Sequence, residues 1–311
     1  MATSGSVDLT ATRDAIITEA LEQLGVLGEG DSPNANQLTS CARTLNYMLK
    51  AWQADGANLF AVQKVYLFTV KDQSSYTLTG STTDHYTAAF VQTTTSAAAS
   101  SGASTMMVTS ASGISASDVI GVYQSDGTMH WTTVNGAPSG STVTLTAVLT
   151  ADIDSGATVY AYTSKANRPM RVLEAVIHHD GTDTPVQVAS REEYFNQSKK
   201  TTDARVNTVY YDPQVTTPTL YVWPQSDDER DYLTLNVQRT LDDLDGATDD
   251  VDYPQEWFMA MSYGLAVALA PKYGKPGSVI SMLAGLAERE YARVLAFDTE
   301  NVSVFLGPDR G

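Results

Sequence analysis

The chain has 311 residues, 42% of them hydrophobic and 18% charged, which is enough for a sizeable core and for two domains. Its 19 basic and 36 acidic residues give a formal net charge of −17. A protein that grips DNA through the phosphates needs the opposite balance, so the composition argues against tight nucleic-acid binding. Two interpretations stay open: a surface past which DNA slides without adhering, or simply an acidic protein in solution.

The cysteine content and the apolar runs further restrict the class of protein. Cys41 is the single cysteine, so one chain can build neither a disulfide framework nor a cysteine zinc site. Residues 1–12 lack a basic region followed by an apolar run, and we expect no secretory signal. No stretch approaches 18 uninterrupted apolar residues, so we expect no membrane span. The predicted place of synthesis and assembly is a cytoplasm.

Two helices are predicted at the start of the chain. Apolar residues recur at helical spacing from Arg13 to Leu24, and Gly25 stands where a helix-terminating glycine belongs. Ser32 is the expected cap of a second helix, Pro33 its first residue, and Gly56 its end. Cys41 falls on the apolar stripe of this second helix, and we expect it to be buried. The short link predicts an antiparallel helical hairpin.

The middle of the chain is rich in strand patterns. Val65 to Leu78 reads as a β-hairpin. Between 82 and 165, Ser, Thr, Ala and Gly dominate, and short alternating runs are separated by turn dipeptides. The runs are Met106–Thr109, Val119–Tyr123, Met129–Val134, Val143–Leu145 and Val159–Tyr162. This pattern predicts a small all-β barrel or sandwich inserted into a host domain.

The host sequence resumes with strands and ends with helices. Ser190 and Glu193 have the spacing of a capping box for a short helix. An acidic loop from Asp242 to Asp252 precedes a third long helix, for which Asp252 is the expected cap. A fourth helix is predicted over Ser278–Phe297. The strand candidates before these helices are Met170–His178, Pro185–Val188, Val206–Asp212, Thr219–Trp223 and Tyr232–Gln238.

These elements predict an α+β fold: a four-helix bundle built from both chain ends, a central β-rich region and an inserted small all-β domain. The predicted domains are a helical core with a β excursion over 1–81 and 166–297, the insert over 82–165, and an extended partner-binding tail over 298–311. The tail is apolar and prone to form a strand, so it either folds back or is captured by a neighbour. Its candidate interface residues are Val302, Val304, Phe305, Leu306 and Pro308.

Motifs for metals and catalysis are incomplete. Placing Gly246 at the sixth position of a calcium loop puts four aspartates at ligand positions, Asp243, Asp245, Asp249 and Asp252, but Leu241 then takes the first position, which needs an oxygen ligand. His178 and His179 are adjacent on a strand and point to opposite faces, while His85 and His130 stand alone. Adjacent carboxylates such as Glu192 with Glu193, and Asp227 with Asp228, are more typical of a solvated surface than of a glycosidase. We therefore predict no metal, no cofactor and no enzyme activity.

The chain ends resemble a known family. Arg13-Asp14-Ala15-Ile16, the segment 20–26 (ALEQLGV) and the segment 45–56 (LNYMLKAWQADG) look like the opening of podophage tail accessory factors, also called packaged-DNA stabilization or head-to-tail adaptor proteins. Tyr253-Pro254-Gln255-Glu256-Trp257 and the segment 265–274 resemble that family's second helical pair. The segments 168–195 and 220–224 are similar to longer adaptors of tailed phages. The resemblance covers roughly two thirds of the chain, and the insert departs from the shortest members.

The resemblance implies a structural virion protein in the neck or tail, assembled in the host cytoplasm. It implies a homo-oligomeric ring, of about twelve copies, below the portal protein and above a tail or nozzle protein. The C-terminal segment would reach the portal, and genomic DNA would pass through the lumen without specific binding. Two rival hypotheses remain: a carbohydrate- or receptor-binding tail protein acting through the insert and its aromatic residues, and a peptidoglycan hydrolase.

Overall fold

The computed structural model describes residues 9–56 and 59–298, which divide into two units. Unit 1 combines both parts of the chain: the described residues up to 61 and those from 241 onward. Unit 2 is the continuous stretch 62–240. The long helices lie in unit 1 and the sheets in unit 2.

Unit 1 contains four α-helices and two short 3-10 turns, Leu59–Ala61 and Gln255–Trp257. The helices are α1 (Arg13–Gln23), α2 (Ala35–Asp55), α4 (Phe258–Leu269) and α5 (Gly277–Phe297), while the short α3 (Arg191–Phe195) belongs to unit 2. α2 begins two residues later than expected, because Asn34, and not Ser32, caps it in a reciprocal box with Gln37. Asp252 does not cap α4; its carboxylate accepts a hydrogen bond from the amide of Asp242.

α4 is the central helix of unit 1. Met261, Leu265 and Leu269 have no exposed side-chain surface, and the other helices of the unit contribute to the same core. α4 packs against α1, α2 and α5 because it is apolar on nearly all sides. Cys41 is fully buried in this core, as predicted, with Sγ 3.8 Å from the hydroxyl of Tyr273.

The predicted fold class, α+β with a four-helix bundle built from both chain ends, is wrong. Within the described residues the protein is mostly β, with 14 strands and only about 26% helix in five helices. Helical periodicity located the long helices but did not show that they make up only a small fraction of the residues. It also cannot distinguish two facing amphipathic hairpins from the observed arrangement, in which one apolar helix is surrounded by others.

Unit 2 contains all the strands of the described residues. They are β1 (Val62–Phe68), β2 (Ser75–Thr77), β3 (Tyr86–Thr87), β4 (Val91–Thr94), β5 (Thr105–Met107), β6 (Val119–Tyr123), β7 (Met129–Thr133), β8 (Thr142–Thr144), β9 (Thr158–Tyr162), β10 (Pro169–His179), β11 (Thr182–Val188), β12 (Thr208–Asp212), β13 (Thr219–Trp223) and β14 (Tyr232–Arg239). Eight of them form a sheet in the order β2-β13-β12-β11-β10-β14-β1-β3, in which only β11 and β12 are parallel.

The predicted hairpin over Val65 to Leu78 is wrong. Its two strands, β1 and β2, lie far apart in the eight-stranded sheet: β1 pairs with β14 and β3, and β2 pairs with β13 on the edge. β14 supplies a row of buried leucines and valines between β10 and β1, which a short local partner cannot match. Burial of apolar area therefore favours the long-range pairing.

The five alternating runs predicted between 82 and 165 are all strands. They are β5 to β9, and together with β4, for which no run was predicted, they form a four-stranded sheet, β4-β9-β6-β7, and the pair β5-β8, around a separate apolar core. Gly121 in β6 makes room for the ring of Trp131 on β7, since a Cβ there would lie 2.7 Å from ring carbons. An aromatic cluster in unit 2 joins this small domain to the large sheet: Phe68, Met129, Tyr160, Tyr162 and Tyr232.

Candidate functional site

The residues predicted to bind the portal lie outside the described part of the chain. Val302, Val304, Phe305, Leu306 and Pro308 all follow residue 298. The described chain stops at Asp298, just after α5. Its carboxylate accepts hydrogen bonds from the amide of Leu59, at 3.1 and 3.2 Å. Burial raises the pKa of Asp298.

Unit 1 carries an exposed apolar face beside the end of α5, which we call the Met259 face. Met259 on α4 is 52% exposed and Phe297 at the end of α5 is 78% exposed. A groove of about 460 Å³ runs between these two helices. Its lining residues are Glu256, Met259, Tyr263, Arg289, Glu290, Arg293, Val294 and Phe297.

A second groove lies on the other side of Met259, between α1 and α4. Its volume is about 380 Å³, and apolar side chains dominate its lining. They include Ala15 and Ile16 of α1 and Phe258 of α4. The Met259 side chain is thus a ridge between two shallow grooves, a shape that offers apolar contact area to a partner.

The rim of the first groove is charged but internally paired. Glu290 is 12% exposed and lies 2.8 Å from Arg289 and 3.5 Å from Arg293. Both arginines are largely exposed, so each pair contributes little to stability. The arginines leave the apolar floor of the groove accessible.

Unit 2 carries a polar pocket of about 130 Å³ near the end of β10. β10 pairs with β14 so that His178 is opposite Tyr232, which places His179 beside Asp231. The Nδ1 atom of His179 lies 2.7 Å from Oδ1 of Asp231. One ligand atom from each of His179, Asp228 and Asp231 lies within 4.8 Å of the other two. One imidazole and two carboxylates therefore converge here.

The two carboxylates of this pocket have different surroundings. Burial raises the pKa of Asp231, whose side chain is 2% exposed. Burial also acts to raise the pKa of Asp228, but hydrogen bonds from Arg230 outweigh it and the net shift is downward. The guanidinium donates to both oxygens of Asp228, with Nη2 at 2.6 Å from Oδ2. Asp231 Oδ2, in contrast, is buried and has no hydrogen-bond partner among the described residues.

The loop that carries these aspartates also contacts the four-stranded sheet. Glu229 is 8% exposed; one carboxylate oxygen accepts from the amide of Lys71 and the other from the amide of Met129 in β7. The hydroxyl of Tyr160 in β9 donates to the carbonyl of Arg230 at 2.8 Å. The segment between β13 and β14 is thus a fixed part of unit 2.

The acidic loop is not brought into this pocket. Leu241, which a calcium loop would need as a ligand, is 5% exposed and packs in the core of unit 1 with Leu244. Asp243 pairs with Lys50 at 2.9 Å, and Asp249 accepts a hydrogen bond from the amide of Gly246. The pair with Lys50 holds the loop, which is part of unit 1, against α2.

The other histidines named from the sequence, and two tyrosines of the large sheet, are mostly engaged in packing. His85 stacks on Trp131 at 3.8 Å, and His178 pairs with Asp183 at 2.7 Å. Tyr210 and Tyr221 face each other across β12 and β13 and stack at 5.8 Å. Glu193 closes the capping box of α3 with Ser190, as predicted.

Sequence reasoning did not identify the grouping of His179 with Asp228 and Asp231. His179 and Asp231 are separated by 52 positions, and only the register of β10 against β14 brings them together. The available signal was that each stands at the outer end of a predicted strand. That signal becomes informative only when the pairing of those strands is known.

Comparisons with known proteins give no family. No family model matches the chain, and no curated protein is similar to it. Among solved structures, VP17, a capsid protein of bacteriophage P23-77, is 12% identical over 62% of this chain and 75% of that chain, with a TM-score of 0.12. No common fold follows from this TM-score. Within the described residues, no helix combines the length and apolar character that a membrane crossing requires.

Proposed function

We propose that this protein is a non-enzymatic structural subunit of a bacteriophage particle, a head-to-tail adaptor that forms a ring below the portal. The proposal starts from the resemblance of the two chain ends to podophage tail accessory factors. Its partners are further copies of this chain, the portal protein and a tail protein below the ring. The DNA passes through the lumen without specific binding.

The observation that carries the proposal is the Met259 face. Large side chains such as Met259 and Phe297 stay exposed on unit 1 although the same helices bury others completely. Contiguous exposed apolar surface of this kind is typical of a protein interface. A ring needs a heterologous contact, in which one face of each copy meets a different face of the next. The Met259 face is our candidate for one half of that contact.

The net charge fits a channel wall better than a DNA clamp. Each copy carries −17, so a ring repels a phosphate backbone more strongly than a single chain does. Phosphate contacts by lysine and arginine would slow the passage of DNA, because each contact adds affinity. An acidic lumen favours sliding.

Imaging of the full chain mixed with portal protein tests the proposal. We expect rings at one end of the portal by negative-stain electron microscopy. Met259→Asp and Phe297→Asp should reduce the ring-bearing fraction at least about tenfold, because each places a charge in an apolar contact. The matched control is Met107→Asp on β5, a methionine 47% exposed in unit 2. Absence of rings with the wild-type chain would refute the adaptor assignment.

The C-terminal segment needs a separate test. Because Asp298 accepts hydrogen bonds from Leu59, the truncation should remove only residues 299–311 and keep Asp298. We expect the truncated protein to keep its unfolding temperature and to lose attachment to the portal. Normal attachment of the truncated chain would show that the interface does not include Val302, Val304, Phe305, Leu306 and Pro308. It would not bear on ring formation, which the imaging experiment tests.

A further inference from the structure

The pocket at the end of β10 has the donor set of a metal site. His179 offers an imidazole nitrogen, and Asp228 and Asp231 offer carboxylate oxygens, all within 4.8 Å of one another. A tetrahedral cation with bonds of roughly 2.0–2.2 Å holds its ligand atoms about 3.3–3.6 Å apart. The side chains therefore need to close by up to about 1.5 Å. His179 and Asp228 are only partly buried, which leaves them room for this adjustment.

The buried carboxylate of Asp231 is the independent observation that points to a ligand. Oδ1 is engaged by His179, but Oδ2 has no hydrogen-bond partner among the described residues, although the side chain is only 2% exposed. A buried carboxylate oxygen without a donor costs free energy. Asp231 lines the pocket, so a cation placed there would lie beside this carboxylate, whose second oxygen has no donor among the described residues.

We propose that His179, Asp228 and Asp231 form a binding site for one divalent transition-metal cation, of the Zn²⁺ or Mn²⁺ class. A mixed nitrogen and oxygen donor set favours this class over Ca²⁺ and Mg²⁺, which prefer oxygen ligands alone. Three protein ligands leave a further position for water. The site is independent of the proposed adaptor function.

Arg230 competes with the cation for Asp228. Its guanidinium and its backbone amide both donate to the Asp228 carboxylate. A cation that binds Asp228 must share this carboxylate with the arginine or displace it, since their charges repel. The competition lowers affinity without removing the site, because Asp231 and His179 make no contact with Arg230 side-chain donors in the described hydrogen bonds.

The role we assign to the cation is structural. The pocket is lined by the turn after β10, by the loop before β14, and by Thr158 and Tyr160 of β9 in the inserted domain. That same loop binds the inserted domain through Glu229 and the carbonyl of Arg230. A cation held by Asp228, Asp231 and His179 would fix the loop to the end of β10.

The chain offers a matched control for the test. His178 lies on β10 and Asp183 on β11, and His178 Nδ1 is 2.7 Å from Asp183 Oδ1, the same separation as between His179 Nδ1 and Asp231 Oδ1. Asp183 is 64% exposed, and among the described residues no second carboxylate joins this pair to form a group of three possible metal ligands. If Zn²⁺ bound adventitiously to any histidine–aspartate pair, variants of the two pairs would lose affinity to the same extent.

Titration calorimetry of the metal-free full chain with Zn²⁺ tests the proposal, with Mg²⁺ as the comparison. We expect one Zn²⁺ per chain, and at least a tenfold loss of affinity in His179→Gln and in Asp231→Asn. The control variants His178→Gln and Asp183→Asn should bind as the wild type does. Arg230→Gln should bind at least as tightly as the wild type, and unchanged binding in Asp228→Asn would remove Asp228 from the ligand set.

A stability readout covers the case in which a variant folds poorly. Zn²⁺ should raise the unfolding temperature of the wild type and of Asp183→Asn, because a ligand of the folded state stabilises it, and should leave Asp231→Asn unchanged. The proposal is overturned if the wild type binds no Zn²⁺, or if the His178 and His179 variants lose binding equally. Ring formation with the portal is a separate measurement, so either proposal can fail alone.

Discussion

Asn46 ties the acidic loop to α2 through two hydrogen bonds. Its side-chain amide donates to the carbonyl of Leu244 at 3.1 Å, and its carbonyl accepts from the amide of Leu244 at 3.0 Å. Leu244 is 3% exposed, so both of these backbone groups sit at the edge of the core. One side chain thereby satisfies both polar groups of a buried residue.

Asn46→Ala should lower the free energy of unfolding by about 1–3 kcal/mol, because it leaves the amide and the carbonyl of Leu244 without partners. Chemical denaturation measures this change. The control is Thr39→Ala on an exposed position of α2, where the hydroxyl only bonds the carbonyl of Ala35 and the expected change is within about 0.5 kcal/mol. Equal effects of the two substitutions would contradict the assigned role of Asn46.

His85 makes stability depend on pH. It stacks on Trp131, and its Nδ1 lies 2.7 Å from the hydroxyl of Tyr162. Burial, with a smaller contribution from the charge of Lys165, lowers the pKa of His85 from 6.5 to about 3. The unfolded chain therefore takes up this proton at a higher pH than the folded protein. Its contribution to stability is complete above pH 6.5 and is lost as the pH falls toward 3.

His85→Asn should reduce the acid sensitivity of folding, because asparagine keeps a hydrogen-bonding atom near Nδ1 but does not take up a proton. The measurement is the difference in unfolding free energy between pH 7 and pH 4 for the wild type and the variant. We expect a smaller loss in the variant. Tyr162→Phe, which removes only the hydroxyl partner, should still lose unfolding free energy between pH 7 and pH 4, as the wild type does. An identical loss in wild type and His85→Asn would exclude His85 as the source.

At the residue scale, local contacts were predictable and long-range ones were not. The capping box of Ser190 and Glu193 depends on a three-residue spacing, so the sequence alone identifies it. The burial of Cys41 follows from helical periodicity. The pairing of His179 with Asp231 depends on which strand lies beside β10, and no local pattern contains that information.

At the scale of elements, α2 packs directly on the backbone of α4. A Cβ at Gly264 would lie 2.9 Å from a ring carbon of Trp52 and 3.1 Å from the sulfur of Met48. Trp52 also contacts the ring of Tyr291 on α5, with centroids 4.8 Å apart. A glycine at position 264 therefore lets the indole of Trp52 fit between the two helices.

Gly264→Ala should destabilise the protein by about 1–3 kcal/mol, because overpacking outweighs the better helix propensity of alanine. The matched control is Gly285→Ala in α5, where a Cβ would meet no atom within 4 Å. There the gain in helix propensity acts alone, and we expect a stabilisation of up to about 1 kcal/mol. Thermal unfolding compares the pair. Stabilisation by both substitutions would contradict the close packing of Trp52 on α4.

The elements themselves were largely predictable, but their partners were not. Alternation located β6 as Val119–Tyr123 and β5, β7, β8 and β9 within one or two residues, but it did not predict β4. The hairpin prediction failed because adjacent strands in sequence were assumed to pair. β1 instead joins β14, which lies some 170 positions further along the chain and has a more apolar burial pattern than β2.

At the scale of the whole molecule, the error in fold class has a physical cause. Strong helical periodicity at both ends gave the helices too much importance in the prediction, while strands of two to eleven residues each carry a weak signal. Summed over unit 2, those strands outweigh the helices, and several pairings in the large sheet join strands distant in sequence, such as β1 with β14 and β2 with β13. Net charge, in contrast, is a property of the whole chain and is read directly from composition.

Assembly of the proposed ring should respond to salt in a defined direction. Each copy carries −17, so copies that associate through the Met259 face must overcome mutual repulsion. Raising the ionic strength from about 0.05 to 0.5 M shortens the screening length and weakens that repulsion, while apolar contacts persist. We expect the concentration needed for half-maximal association between copies to fall several-fold, as measured by sedimentation velocity. Arg289→Ala should also associate more tightly at high ionic strength, because Arg289 already pairs with Glu290 within its own helix. Weaker association at high salt would mean that ion pairs, and not the apolar face, hold the copies together.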